Sequence, residues 1–337
     1  MKWIKMCCMV LAAFCVGCKK SGYGTHPTEK KYVVSTIAGD GSDAFADGPV
    51  LSAKFHNPVD VAVTSDGTIY VADYNDHRIR KITGGQVYTL AGSDSTGVVN
   101  GDGGMALFNN PYRIATDQAG NCYVLDQIDP RIRKITAAGY VTTYAGAASP
   151  GFLDGASLVA QFAVNAEGIA VDGTGNVYVG DTFNGRIRKI TPAAQVNTVA
   201  QFNYPGAVAC DRQGNIYVVE EGNLRIRKIA TDGVISTLAG SGTRGDKDGD
   251  GATAEFDQMG DLVADSQGNL YLIDGERIRK ITPAGVVSTI AGSTAGYADG
   301  DGADAKFKEP GGLGIDAQDN IYVADINNNR IRKISFE

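Results

Sequence analysis

The chain has 337 residues, room for two or three ordinary domains or for one large domain built of repeats. Its 31 Lys and Arg against 38 Asp and Glu leave a net charge of −7, which excludes a whole-protein electrostatic footprint for DNA or RNA. The 44 Gly residues and 43% hydrophobic content describe a turn-rich chain that still builds a core, and exclude both a disordered chain and a coiled coil.

At the N-terminus Lys2 and Lys5 flank Trp3, and Met6 to Gly17 is an apolar run ending in small residues before Cys18. This is the pattern of a secretory signal, too short to span a bilayer as a mature helix. The run closes on Cys15-Val16-Gly17-Cys18, which resembles a bacterial lipobox. The resemblance implies a signal peptide of residues 1–17 and a diacylated Cys18 as the mature N-terminus. Lys19, where an Asp would retain the protein at the inner membrane, implies by resemblance to the sorting rules an exported outer-membrane lipoprotein, periplasmic or surface-facing. Residues 18–31, polar with Gly and Pro, predict a flexible tether. Beyond it only Cys122 and Cys210 remain, at different positions of different repeats, which argues against a disulfide framework.

From there on the chain repeats. Arg-Ile-Arg-Lys begins at Arg78, Arg131, Arg186, Arg225, Arg277 and Arg330, at spacings of 53, 55, 39, 52 and 53 residues. Around each copy recur four short apolar stretches rich in Val, Ile and Tyr and bounded by Gly, Asp and Asn, as in Gly168–Asp172, Asn176–Asp181, Arg186–Ile190 and Val196–Val199. They read as strands, four antiparallel strands to a repeat, the pattern of a propeller blade. Stretches of the type Val-Ser-Thr-Ile-Ala-Gly begin at Val34, Val87, Val141, Val196, Ile235 and Val287. The first has no Arg-Ile-Arg-Lys before it, and the last Arg-Ile-Arg-Lys has no such stretch after it. The expectation is an all-β, six-bladed propeller over residues 32–337, closed by residues 32–39 pairing as the outer strand of the last blade.

The signatures Phe307-x-x-Pro310 to Asp316, Asn320 to Asp325, Asn329 to Lys333 and Asn75-Asp-His77-Arg-Ile79 resemble the NHL-repeat family of propellers. Members of that family bind proteins, bind RNA, sense ligands or catalyse reactions, so the resemblance implies the fold and leaves function open.

Residues present in every blade are read as structural. Tyr70, Tyr123, Tyr178, Tyr217, Tyr271 and Tyr322 sit in the second strand, and Asp73, Asp126, Asp181, Glu220, Asp274 and Asp325 end it. These acids precede the first Arg of Arg-Ile-Arg-Lys by five residues, or three in blade five, a spacing that predicts ion pairs across the hairpin to Arg78, Arg131, Arg186, Arg225, Arg277 and Arg330. The linkers carry Asp or Asn followed by Gly at 47–48, 100–101, 154–155, 248–249 and 299–300. Asp246 to Gly251 matches the start of an EF-hand loop but is read as a turn with local Asp hydrogen bonds, calcium being the alternative.

Function is sought where the blades differ. Aligned starts of the inner strands place Asp60, Tyr112, Arg113, Glu167 and Asp261 around one mouth of the channel, and only small residues in blades four and six. Five junctions hold linkers of 14 or 15 residues, whereas Ala200-Gln201 runs directly into Phe202-Asn-Tyr204-Pro205. If the linkers form a raised wall around the mouth, the missing one leaves a notch with Tyr204 on its rim. The three His residues (His26, His56 and His77) are scattered, so no His triad assembles at the axis. Two readings stand. The first is a lipid-anchored, non-catalytic interaction module of the cell envelope that binds a protein, peptide or glycan through Asp60, Tyr112, Arg113, Glu167, Tyr204 and Asp261. It is a monomer with no cofactor, no nucleic-acid partner and membrane contact only through its lipid. The second is a calcium-dependent hydrolase or lyase using Asp60, Glu167 and Asp261.

Overall fold

A computed structural model describes residues 31–337; the predicted signal peptide, Cys18 and all of the predicted tether but Lys31 lie outside the described residues. Six antiparallel sheets are arranged as the blades of a propeller. In blade one the strands run Pro58–Val63, Ile69–Asp73, Arg78–Thr83 and Gln86–Gly92 from the channel outward. The inner strands of the other five are Pro111–Thr116, Gly168–Val171, Pro205–Cys210, Met259–Ala264 and Pro310–Ile315.

Second strands such as Ile69–Asp73 are buried along their whole length, because both faces of a blade meet a neighbouring blade. The core therefore lies between blades. Val61, Ile69 and Val71 of blade one, for instance, pack with Phe55 against Tyr322, Ala324 and Ile331 of blade six. That packing already requires a closed ring, and the closure has the predicted form. Tyr32–Ala38 pairs antiparallel with Arg330–Phe336, Val34 opposite Ile334, as the outer strand of blade six.

The repeated acids find a partner other than the predicted one. Asp73 lies opposite Arg78 in the ladder, yet its carboxylate meets Arg80, two residues further along the same face, at 2.7 Å. The same holds for Asp126 with Arg133, Asp181 with Arg188, Glu220 with Arg227, Asp274 with Arg279 and Asp325 with Arg332. The first Arg is drawn elsewhere: Arg78, Arg186 and Arg330 lie over the linker rings of Phe45, Phe152 and Tyr297 at 3.9–4.1 Å.

The linkers correct a second expectation. They do not wall the mouth; each folds against the outer strand of the blade it enters, with Gly48 opposite Val87, Gly101 opposite Val141, Gly155 opposite Val196, Gly249 opposite Val287 and Gly300 opposite Val34. The Asp before that Gly is not a local turn former. Asp154 accepts from Arg188 at 2.7 Å and from the Thr198 amide at 3.0 Å, more than thirty residues away. Asp248 likewise accepts from Arg279 and Thr289, while Asp246 pairs with Arg277 and Asp257 with Arg244, so guanidinium groups hold these carboxylates. Cys122 and Cys210 are both free thiols.

Candidate functional site: the channel mouth

One position of the inner strand gives the ring Asp60, Arg113, Gly168, Ala207, Asp261 and Gly312. The position before it gives Val59, Tyr112, Glu167, Gly206, Gly260 and Gly311. Glycines stand among the long side chains for a steric reason. A Cβ at Gly312 would lie 1.9 Å from an Asp60 oxygen, and one at Gly206 would lie 2.1 Å from a Glu221 oxygen. The small residues of blades four and six are the space into which the charged ones fold.

The lower belt is Asp60, Arg113 and Asp261, all buried. Asp60 Oδ2 accepts the Ile114 amide of blade two at 2.8 Å, and Asp261 Oδ2 accepts the Leu313 amide of blade six at 2.8 Å. Arg113 crosses the channel, donating from Nε to the Glu167 carbonyl (3.1 Å) and from Nη1 to the Gly311 carbonyl (2.9 Å). The belt thus links blades one, two, three, five and six, with a cavity of about 170 Å³ lined by Val63, Val171, Ala264 and Ile315 on one side of it. Burial pushes the Asp60 carboxyl well above the usual carboxylate range, and repulsion from Asp261 adds to this. Burial raises Asp261 as well, with Arg113 opposing.

The mouth itself is a cavity of about 310 Å³ lined by Tyr112, Arg113, Glu167, Glu221, Met259 and Glu309, among others. The Tyr112 ring lies under the Arg113 guanidinium at 4.6 Å and meets Tyr74 edge to face at 6.4 Å. Glu167 and Glu221 both line this space, and each carboxyl lies within reach of the other's charge, so the two resist being ionised together. Burial, and then the neighbouring Glu167 charge, push Glu221 up to about 7; burial raises Glu167, opposed by Arg113. Three acids and one guanidinium therefore face a half-enclosed space, an arrangement suited to a cationic group.

Of the residues predicted from sequence, the structure brings together Asp60, Arg113 and Asp261 in the belt and Tyr112, Arg113 and Glu167 in the mouth. Tyr204 stands apart from them. It is exposed and packs edge to face on the equally exposed Phe183 at 5.9 Å, and only its backbone reaches the site, accepting the Glu221 amide at 3.1 Å. Asp60, Glu167 and Asp261 do not converge as a calcium shell: Asp60 and Asp261 are held on backbone amides in the belt, and Glu167 lines the mouth with Glu221. Among the described residues no group of three or more His, Cys, Asp or Glu is arranged to hold a metal ion. Sequence reading missed Glu221. Its signal was present, since the residue after the repeated acid is Tyr74, Gln127, Thr182, Glu221, Gly275 or Ile326, different in every blade.

The fold and its plugged channel define a six-bladed β-propeller. Residues 55–82 and 307–334 match the model of the NHL repeat, and with the closed ring they make the chain an NHL-repeat propeller. It is 26% identical over 320 residues, 89% of its length, to Protein SUPPRESSOR OF QUENCHING 1, chloroplastic, of Arabidopsis thaliana, and spans 27% of that protein. An auxiliary nutrient binding protein from Bacteroides thetaiotaomicron shares the fold with a TM-score of 0.70 and 20% identity, over 92% of this chain and 77% of that one. Virginiamycin B lyase from Staphylococcus aureus shares it with a TM-score of 0.55 and 14% identity, over 90% and 99%.

Proposed function

We propose that the protein is a lipid-anchored binding module of the bacterial cell envelope whose channel mouth takes an amine-bearing group of a protein, peptide or glycan. The observation that carries this is the pair of acids Glu167 and Glu221 lining one cavity beside Arg113 and Tyr112, at positions where the six blades differ. A bound ammonium would take the place of the proton that burial and the neighbouring Glu167 charge keep on Glu221, and let both carboxylates ionise, while Tyr112 offers an aromatic face. The neighbour described as an auxiliary nutrient binding protein supports a binding role. The belt of Asp60, Arg113 and Asp261 beneath the mouth bonds the inner strands of different blades to one another and so fixes the frame of the site. Nucleic acid is disfavoured because Arg80, Arg133, Arg188, Arg279 and Arg332, the second arginines of the repeat, are fully buried and cannot meet a phosphate backbone.

Calorimetric titration with lysine-containing peptides and with amino-sugar oligosaccharides tests the reading. Binding is expected for one class, weakened roughly tenfold or more by Glu167→Gln or Glu221→Gln. Equal binding by those variants would remove the mouth from the proposal.

The same pair sets a pH dependence. The folded state holds a proton on Glu221 that an unfolded glutamate releases near its ordinary value, so this group's contribution to stability is lost as pH rises from there through about 7. Glu221→Gln is therefore expected to melt higher than the parent at pH 8, by an amount on the order of 2 kcal/mol, and to match it at pH 4. Thermal melts at the two pH values decide this. Anchoring rests on Cys18: Cys18→Ser is expected to move the protein from the membrane to the soluble fraction with an unchanged melting temperature, and membrane retention of the variant would overturn it.

A further inference from the structure

The missing linker leaves more than a gap. In five blades the linker seats itself on a repeated receptor with three parts: a Val that begins the outer strand, a Thr two residues on, and the second Arg of Arg-Ile-Arg-Lys. In blade three Gly155 pairs with Val196, Asp154 accepts from Thr198 and Arg188, and the Leu153 carbonyl accepts from Arg188 at 2.8 Å. Blades one, five and six repeat this with Asp47, Asp248 and Asp299, and blade two substitutes Asn100. The Gly that follows has φ between +124° and +145° in all five, a conformation that excludes other residues.

Blade four, which no linker enters, keeps every part of the receptor. Ile235 stands where Val34, Val87, Val141, Val196 and Val287 are 0–2% exposed, and is itself 42% exposed. Thr237 lies opposite Arg227 as Thr198 lies opposite Arg188, and neither its amide nor its hydroxyl has an acceptor outside the ladder. The Arg227 side chain, 22% exposed against 0% for its five counterparts, lies over the Phe202 ring at 5.5 Å, and its polar partners among the described residues are Glu220 and, at 3.4 Å, the Ser236 carbonyl. The outer strand Ile235–Ala239 ends its sheet with no short strand paired to it. An uncovered edge with an apolar side chain and spare cationic donors is a template for strand addition.

We infer that the outer edge of blade four is a docking site for an extended segment of a partner protein carrying Asp-Gly or Asn-Gly, which completes the blade as the linkers complete the others. Its chemistry follows from the five seated copies. The acid or amide must reach Arg227 and Thr237 together, the Gly must take the positive φ, and an apolar contact must cover Ile235. A second copy of this chain fits less well, because its own linker Asp-Gly and Asn-Gly pairs are already seated. The site is independent of the channel mouth.

The probe is a synthetic peptide of residues 147–161, which contains Leu153-Asp154-Gly155-Ala156, added to the whole protein and followed by amide NMR. Saturable shifts at residues 235–239 are expected. They should weaken roughly tenfold or more when the peptide carries Asp154→Ala or the protein carries Arg227→Ala, the loss anticipated for a charge-assisted pair. Insertion of a copy of residues 147–161 after Gln201 should fill the edge in cis and abolish peptide binding while the protein stays folded. No shift at millimolar peptide, shifts elsewhere, equal affinity of the Asp154→Ala peptide, or undiminished binding to the linker-grafted protein would each overturn the assignment. So would a concentration-dependent dimer, seen by sedimentation and abolished by Ile235→Lys, which would give the edge to a second copy instead.

Discussion

Removing residues 32–38 is expected to lower the melting temperature by roughly 10 °C or more, a loss on the order of 5 kcal/mol for a chain of this size. The strand contributes far more than seven ladder residues. Val34 and Ala38 are buried in the cores on either side of blade six, and Thr36 holds Asp299, which in turn holds Arg332 at 2.5 Å. Without it the linker strand Gly300–Asp301 loses its partner, and Arg330–Phe336 becomes an open edge. Because blades bury their core against their neighbours, the damage spreads to the junctions of blade six with blades five and one, and the ring is opened at one point. A second variant separates closure from mere truncation. The backbones of Lys31 and Glu337 exchange hydrogen bonds at 2.7 and 2.9 Å, so the strand can be appended after Glu337 through a two-residue Asn-Gly turn. That permutant is expected to recover the parental melting temperature. A deletion that melts like the parent would show that the N-terminal strand does not hold the ring.

That closure was legible in the sequence for a simple reason. A strand missing its blade at one end and a blade missing its strand at the other are visible by counting Val34 to Gly39 against Arg330 to Lys333, with no knowledge of packing. The inner-strand charges were legible for the same reason, since Asp60, Arg113, Glu167 and Asp261 break a six-fold pattern. What could not be read was side-chain direction. The ladder places Asp73 opposite Arg78, and spacing alone favours that pair. Yet Arg78 finds a ring in Phe45, and Arg80 finds a site closed over by Ala46, Asp47 and Lys54, so the carboxylate goes with Arg80. The linkers were misread because a two-residue strand such as Gly155–Ala156 carries no periodicity to recognise. Glu221 was overlooked because it directly follows a residue that repeats six times, and repetition drew the eye away from its neighbour.

The buried arginines yield the second large effect, and it differs between blades. Arg188→Met is expected to cost about 3–5 kcal/mol, because the guanidinium is the countercharge of both Asp181 at 2.8 Å and Asp154 at 2.7 Å and the donor to the carbonyls of Leu153 and Gln161, so its loss leaves a buried carboxylate without a cation and the linker without its anchor. Its position between the rings of Phe152 and Phe162 keeps water from taking over. Arg227→Met, the same substitution at the same place in the repeat, is expected to cost only about 1–2 kcal/mol. No linker depends on Arg227 and water already reaches it, so only the pairing with Glu220 is lost. Denaturant melts of the two variants measure the difference directly. It follows that seating a linker on blade four should change the answer at Arg227 alone. In a chain with residues 147–161 copied after Gln201, the cost of Arg227→Met should rise toward that of Arg188→Met, since the guanidinium would then carry an aspartate and two carbonyls it does not now touch. Equal costs for the two substitutions in the parent chain would mean that the linkers draw nothing from the arginines, and the receptor described on blade four would lose its physical basis.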